Sequence, residues 1–244
     1  YHTILGVSEI ENRLVLEDLV SQDEIVDANF QIVHYDSPDR RGVDVALLYR
    51  PDQFDYIDSE SLPFTFSPTQ VKITLNQEEQ DYFRTRDILM VHGLIDGEHF
   101  AFYVAHLPSR IGGKGSDLRS RGAEIIYNHA SEMEKKYPGI KIVVMGDMND
   151  NPTDESMTVW MHGKEDIKDV RQGDYFSPFT KMLADGYGSL AYQGSWNIYD
   201  VILANYDLTV APDGGLKICK IHKKGYYGRV FKKPFMTQQT GQYK

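Results

Sequence analysis

The sequence predicts a layered α/β fold with mixed sheets. Three observations predict it. Short apolar, β-branched runs alternate with two or three amphipathic stretches. Hairpin signals interrupt that alternation, the strongest at Asp96-Gly97, and an all-parallel sheet has no place for them. The 244 residues are 41% hydrophobic, enough for a sizeable core in one large domain or two small ones. There is no internal repeat.

Residues 3–7 read as a short strand. Val15, Leu16, Leu19 and Val20 then recur at helical spacing to about Ser21, so Glu9 falls at a strand-to-helix junction. An acid there also suits a helix dipole. Residues 30–35 and 43–49 read as strands around a turn-rich loop, 36–42, with Ser37-Pro38-Asp39 and Arg40-Arg41-Gly42. Residues 54–75, with Pro63 and Pro68, read as irregular with edge strands, and 76–81 as an acidic loop. Residues 86–91 and 99–106 flank Asp96-Gly97 as a hairpin. Gly112-Gly113-Lys114-Gly115 is no P-loop, because Gly115 stands where Ser or Thr is required; a flexible loop edging a site fits better.

Ser116 is the expected N-cap of the longest helix, with Asp117 in its first turn. Ile126, Ala130, Met133 and Tyr137 form its apolar stripe, and Pro138-Gly139 ends it. Residues 141–145 are a buried strand. Residues 155–161 read as a short helix and 164–185 as a polar connection. Residues 189–192 and 197–204 read as a hairpin around Gly194-Ser195-Trp196. From Lys217 the tail is basic: Lys220, Lys223, Lys224, Arg229, Lys232 and Lys233 lie among Tyr226, Tyr227 and Phe231. A solvated tail is the default for such a stretch, and a nucleic-acid edge a weaker reading.

Composition excludes several classes. No apolar stretch approaches the ~20 residues that span a bilayer. The single cysteine, Cys219, rules out an intrachain disulfide or a Cys-rich metal site and reads as a small buried hydrophobe. A net charge of −10 speaks against bulk attraction to nucleic acid, but not against local binding of phosphate through a divalent metal and a few arginines. The chain opens Tyr1-His2-Thr3 without Met or a signal peptide, which suggests processing or trimming. Compartment stays open between the cytoplasm and export after signal removal. Nothing indicates a protein partner.

The chemistry concentrates at strand ends. The run 141–145 stops at Gly146, then delivers Asp147 and Asn149, which in an extended strand end point to one side. A plain polar turn explains the same residues about equally well when they are taken alone. His106 ends a strand. Asp200 sits inside an apolar run, where a carboxylate needs a partner. With Glu9, these groups suit Mg²⁺, Mn²⁺ or Ca²⁺ rather than Zn²⁺. A metal of that kind polarises a phosphoryl oxygen, a carboxylate activates water, and His106 with Arg41, Arg86 and Arg110 would hold phosphate charge.

These residues resemble the endonuclease/exonuclease/phosphatase superfamily, whose members include deoxyribonuclease, abasic-site endonucleases, inositol-polyphosphate phosphatases and sphingomyelinases. Met145-Gly146-Asp147-Met148-Asn149-Asp150 is similar to its Gly-Asp-x-Asn motif. Gly6-Val7-Ser8-Glu9-Ile10 resembles the strand ending in its metal-ligating Glu, Ala105-His106-Leu107 its strand-end His, and Tyr199-Asp200-Val201-Ile202-Leu203 its Asp-bearing strand. The strings from Arg41 to Arg50 and Pro108-Ser109-Arg110 look like a bacterial branch. The four motifs fall in the family's order from Glu9 to about Asn205.

The resemblance implies a four-layer α/β sandwich of two packed mixed sheets with helices outside. It implies metal binding by Glu9 and water activation by Asp147. Asn149 and His106 would hold phosphate, and Asp200 would pair with His106 or with a histidine near the carboxyl terminus. The family also has an Asn-bearing strand before the Glu strand and a terminal Ser-Asp-His; this sequence contains neither, as in a trimmed or a degenerate member. The whole of 1–244 reads as a single domain of this family without those two segments. The expected function is a metal-dependent phosphodiesterase or nuclease. A phosphomonoesterase on a small or lipid phosphate and a non-catalytic binding module are the alternatives.

Overall fold

The computed structural model describes residues 1–110, 113–192, 194–210, 215–220, 225–231 and 233–236. Gly112, His222, Lys223, Lys224 and Lys232 lie outside them.

Two sheets pack face to face. The smaller is antiparallel, with β1 (Ile4–Ile10) and β2 (Gln31–His34) on either side of β3 (Asp44–Tyr49). The larger contains β4 (Asp55–Leu62), β5 (Ile88–Ile95), β6 (Glu98–His106), β7 (Lys141–Asp147), β8 (Gly163–Lys164), β9 (Tyr175–Phe176) and, after the short pair β10 (Leu190–Tyr192) and β11 (Ser195–Asn197), β12 (Asp200–Asn205). Its order is β4-β5-β6-β7-β12-β9-β8, and β6–β7 and β8–β9 are its parallel pairs. The four-layer sandwich is therefore present, but only the larger sheet is mixed.

Strand alternation builds the layers. Val45 and Leu47 of β3 face Val91, Phe102 and Val104 of the large sheet. Ala46 and Leu48 face outward onto Leu16 of α1 (Arg13–Val20). On the other outer face, Ile126, Ala130 and Met133 of α3 (Ser116–Lys136) cover Ala101, Tyr103, Ile142 and Val144. Each large side chain buried there contributes about 1.5–3 kcal/mol of transfer free energy.

Local chemistry corrects several expectations. Residues 76–81 are no loop: Asn76 and Glu79 form a capping box that starts α2 (Gln77–Tyr82). Gly115, not Ser116, caps α3, and Asp117 instead accepts the Ile73 and Thr74 amides at 2.9 and 3.1 Å. The polar connection 164–185 holds β9 and α4 (Pro178–Ala184), whose Phe179 and Met182 are buried with Ile198. The expected hairpin of 189–204 divides: β10 pairs with β11, while β12 joins β7. Cys219 is exposed. The tail is partly packed, since Tyr226 donates to Asp185 at 2.6 Å and Tyr227 meets Phe176 edge-on. Among the described residues, no helix is long and apolar enough to cross a membrane.

Candidate active site

Register alone assembles the first part of the site. In the large sheet His106 of β6 is opposite Asp147 of β7, and Asp147 is opposite Asp200 of β12. Three polar residues thus stand side by side at the ends of three neighbouring strands. Gly146 makes the row possible. Its φ is 136°, and a Cβ there would lie 1.9 Å from the Ala105 carbonyl oxygen. Any side chain would wedge β7 from β6 just before Asp147.

Glu9 arrives from the other sheet. A bulge between Ser8 and Ile10 breaks the β1–β3 register, and Glu9 takes φ 61° within it. The bulge brings its Oε1 to 3.4 Å from His106 Nδ1 and 3.2 Å from Arg41 Nη2. On the other edge of the ring, His106 Nε2 is 3.7 Å from Asp147 Oδ2. His106 Nδ1 is buried with no hydrogen-bond partner among the described residues. Burial, then the Arg86 charge, lowers the His106 pKa to about 4 against the opposing pull of Glu9, so the imidazole is neutral at pH 7. Asp147 moves the other way, to about 6. Burial is the largest cause, Asp200 and Glu9 add to it, and the Asn149 amide and Arg86 oppose it.

The other expected site residues divide by what their donors already do. Arg86 is buried beneath the row. It donates to the carbonyls of His106 (3.0 Å) and Leu107 (3.1 Å) and to Asp39 (2.9 Å), so it braces backbone rather than opening to an anion. Arg110 donates to Asp154 at 2.9 Å, lies 3.5 Å from Asp150 and sits over the Tyr199 ring. Arg41, beside Glu9, is the more exposed of the two surface arginines, 57% accessible against 39% for Arg110. Asn149 does not continue the strand: with φ 50° it turns back, its amide N–H donating to Asp147 Oδ1 and its Nδ2 to the Leu107 carbonyl, both at 2.9 Å. It shapes the loop as the turn reading anticipated. Asp200 stands on the far side of Asp147 from His106. Its side-chain partner among the described residues is Ser189 Oγ at 3.4 Å, not a histidine.

A groove of about 540 Å³ opens beside the row, lined by Ser8, Asp147, Ser189 and Asp200 and floored by apolar residues including Met145 and Phe179. Its size is that of a small-ligand site.

Sequence reasoning missed the braces. Arg119 of α3 is buried 2.7 Å from Asp150 and donates to the carbonyls of Pro108, Ser109 and Lys114, tying the loop after His106 to the loop after Asp147. Its signal was available: 119, 123, 126, 130 and 133 form one helical stripe, so Arg119 is a charge on an apolar face. Asn151 fixes the same loop from the other side, accepting from Ile198 N and donating to Asn197, both at 2.9 Å.

Glu9, Asp147 and Asp200 are the carboxylates at this mouth, the oxygen donors that could hold a divalent cation. Glu9 and Asp147 lie at opposite edges of the buried His106 ring, 3.4 Å from Nδ1 and 3.7 Å from Nε2, and Asp200 lies beyond Asp147; burial, then Asp200 and Glu9, raises the Asp147 pKa. A hard cation takes oxygen donors of this kind, and at Glu9 it would compete with Arg41, 3.2 Å away. Among the described residues, the set whose ligand atoms all lie within 4.8 Å of one another is a different one, His34, Asp36 and Asp44. There Asp44 already accepts from Ser37 N at 3.0 Å and pairs with His34 at 3.1 Å, which makes it a brace of the loop 36–42.

The chain is a two-sheet α/β sandwich with a histidine and carboxylates at adjoining strand ends. The family model of the endonuclease/exonuclease/phosphatase family matches residues 1–244, and the chain belongs to that family. Solved structures share the fold at low identity. The human Nocturnin catalytic domain with a bound sulfate anion aligns at TM-score 0.56 and 17% identity, over 83% of this chain and 69% of that one. D. rerio TDP2 complexed with a single-strand DNA product aligns at 0.56 and 13%, over 86% and 73%. The Bacteroides thetaiotaomicron mannosyl-6-phosphatase aligns at 0.56 and 17%, over 83% and 71%. No curated protein matches.

Proposed function

We propose that the chain is a divalent-metal-dependent phosphodiesterase in which water attacks phosphorus. The observation that carries this is the convergence of Glu9, His106 and Asp147 from two sheets onto one mouth, with an exposed Arg41 beside them. Asp147, with its pKa raised to about 6, is ionised at pH 7 yet basic enough to take the proton of the attacking water. His106, neutral, donates one hydrogen bond to a non-bridging phosphoryl oxygen, and Arg41 holds another through charge. Glu9, with Asp147 and Asp200 nearby, would hold a Mg²⁺ or Mn²⁺ ion, which supplies charge neutralisation at phosphorus when bound. Asn149 and Arg86 support the reading as groups that fix Asp147 and the His106 backbone.

A phosphomonoesterase is the second reading. A net charge of −10 and a groove of small-ligand size favour a compact ester over a long polyanion. The structural neighbours include both a DNA-product complex and a sugar phosphatase, so family membership leaves both readings in place.

The test is hydrolysis of bis(p-nitrophenyl) phosphate, p-nitrophenyl phosphate and supercoiled plasmid, with Mg²⁺ or Mn²⁺ and with chelator. Diester cleavage that chelator abolishes, and that Asp147→Asn lowers by about 10²–10⁴-fold, is expected. Cleavage of the monoester alone would select the second reading. An Asp147→Asn variant with full metal-dependent rate would end the mechanism.

A further inference from the structure

The loop 36–42 carries a buried carboxylate, Asp39, that the mechanism above does not use. Asp39 stands at its centre with its side chain 6% exposed. One carboxylate oxygen accepts from Arg86 Nη1 at 2.9 Å. The other accepts the Arg41 amide at 3.0 Å and lies 3.7 Å from Arg41 Nε. Arg86 continues upward to the His106 carbonyl at 3.0 Å. Arg41 continues to Glu9 Oε1 at 3.2 Å, and Glu9 returns to His106 Nδ1 at 3.4 Å. The contacts close a ring with one carboxylate touching both arms.

The two arms differ in freedom. Arg86 is fixed by burial and three donated bonds. Arg41 is 57% exposed and its guanidinium has two carboxylates in reach, Asp39 and Glu9. A guanidinium on Glu9 Oε1 and a divalent cation on the same carboxylate disfavour each other, since like charges that close repel. The guanidinium is hydrogen-bonded to Glu9 at 3.2 Å, and Asp39, 3.7 Å from its Nε, is the carboxylate that can compete for it.

We propose that Asp39 is a positioning residue that draws Arg41 off Glu9, so that Glu9 can take a divalent cation while Arg41 faces the substrate's phosphate. The inference rests on the phosphoester-hydrolase reading for the phosphate and on geometry alone for the competition at Glu9. Asp39 touches neither reacting atoms nor cation; it acts through Arg41. An asparagine in its place keeps an oxygen for Arg86 but loses the charge that competes for Arg41.

The test is Mn²⁺ titration by calorimetry on the full chain at pH 7, for the wild type, Asp39→Asn, Arg41→Gln and the double variant. Asp39→Asn is expected to weaken Mn²⁺ binding about 5-fold and Arg41→Gln to tighten it, while in the Arg41→Gln background Asp39→Asn changes it less than about 2-fold. With Mn²⁺ saturating, Asp39→Asn should raise KM for the diester about 5-fold with kcat little changed, and Asp39→Glu should recover much of that loss. Equal weakening by Asp39→Asn in both backgrounds would mean that it acts only through its own charge, and would overturn the proposal. So would an unchanged Mn²⁺ affinity in Arg41→Gln, a result that stands even if Asp39→Asn fails to fold. A wild type that binds no Mn²⁺ overturns it as well. Coupled Mn²⁺ binding without any phosphoester cleavage would instead remove the hydrolase reading and leave the Glu9 competition standing.

Discussion

Replacing Gly146 with alanine adds one methyl group and should disable the protein twice over. Its φ of 136° lies where L side chains rarely go, which costs about 1–3 kcal/mol. The new Cβ would start 1.9 Å from the Ala105 carbonyl oxygen, against a practical minimum near 3.0 Å. The two strands must therefore part by roughly 1 Å or more at the residue pair that precedes His106 and Asp147. A displacement of about 1 Å in a catalytic constellation costs on the order of 100-fold in rate. Strain and the weakened β6–β7 pairing together should remove about 3 kcal/mol, or roughly 6–12 °C of Tm for a domain of this size. Gly139→Ala is the control. Gly139 also has positive φ, 83°, but nothing lies within 4 Å of its would-be Cβ, so only the conformational cost of about 1 kcal/mol applies. The assay is a thermal melt with steady-state diester hydrolysis on both variants. A Gly146→Ala protein that melts within 2 °C of the control and keeps half its activity would refute the packing argument.

Two other predictions concern stability. Arg119→Met leaves Asp150 buried beside Ser156 without its close cation, which should cost about 3–5 kcal/mol and lower the urea midpoint; an unchanged midpoint would show that Arg119 contributes nothing net. His92 is buried between Asp58 Oδ1 (3.1 Å) and His99 Nδ1 (2.9 Å), and burial lowers its pKa from 6.5 despite the opposing Asp58 charge. The fold therefore favours neutral His92. Its contribution is complete above about pH 6.5 and is lost as pH falls below that value toward the lowered folded pKa. The urea midpoint should decline from pH 6.5 downward in the wild type and decline less in His92→Gln; parallel pH profiles would contradict this.

Much of the candidate site was legible as a set of residues because strand-end chemistry leaves marks in one dimension. Asp147, His106 and Glu9 each follow an apolar run, and an apolar run that ends in a carboxylate or imidazole is visible without coordinates. The hairpin at Asp96-Gly97 and the stripe of α3 were legible for the same reason: their spacing is set by local geometry, period 2 or 3.6. Their mutual placement was not. Nothing in the sequence says that Asp200 pairs with Asp147 rather than closing a hairpin with residues 189–192, because β-pairing across 53 residues is decided by which strand covers β7. Nothing local says that Glu9 sits in a bulge and reaches His106 across two sheets.

The arginines show the division most clearly. In sequence Arg41, Arg86 and Arg110 are equivalent cations near a phosphate-type motif. In the fold one is exposed beside Glu9, one is buried under two carbonyls, and one is paired with Asp154. The sequence by itself determined the layered α/β class, the order of the motifs and the residue types at the strand ends, since these follow from local periodicity and side-chain chemistry. Only the tertiary structure decided which donors remain unsatisfied, because a hydrogen bond or ion pair is settled by whatever the folded chain brings within about 3 Å.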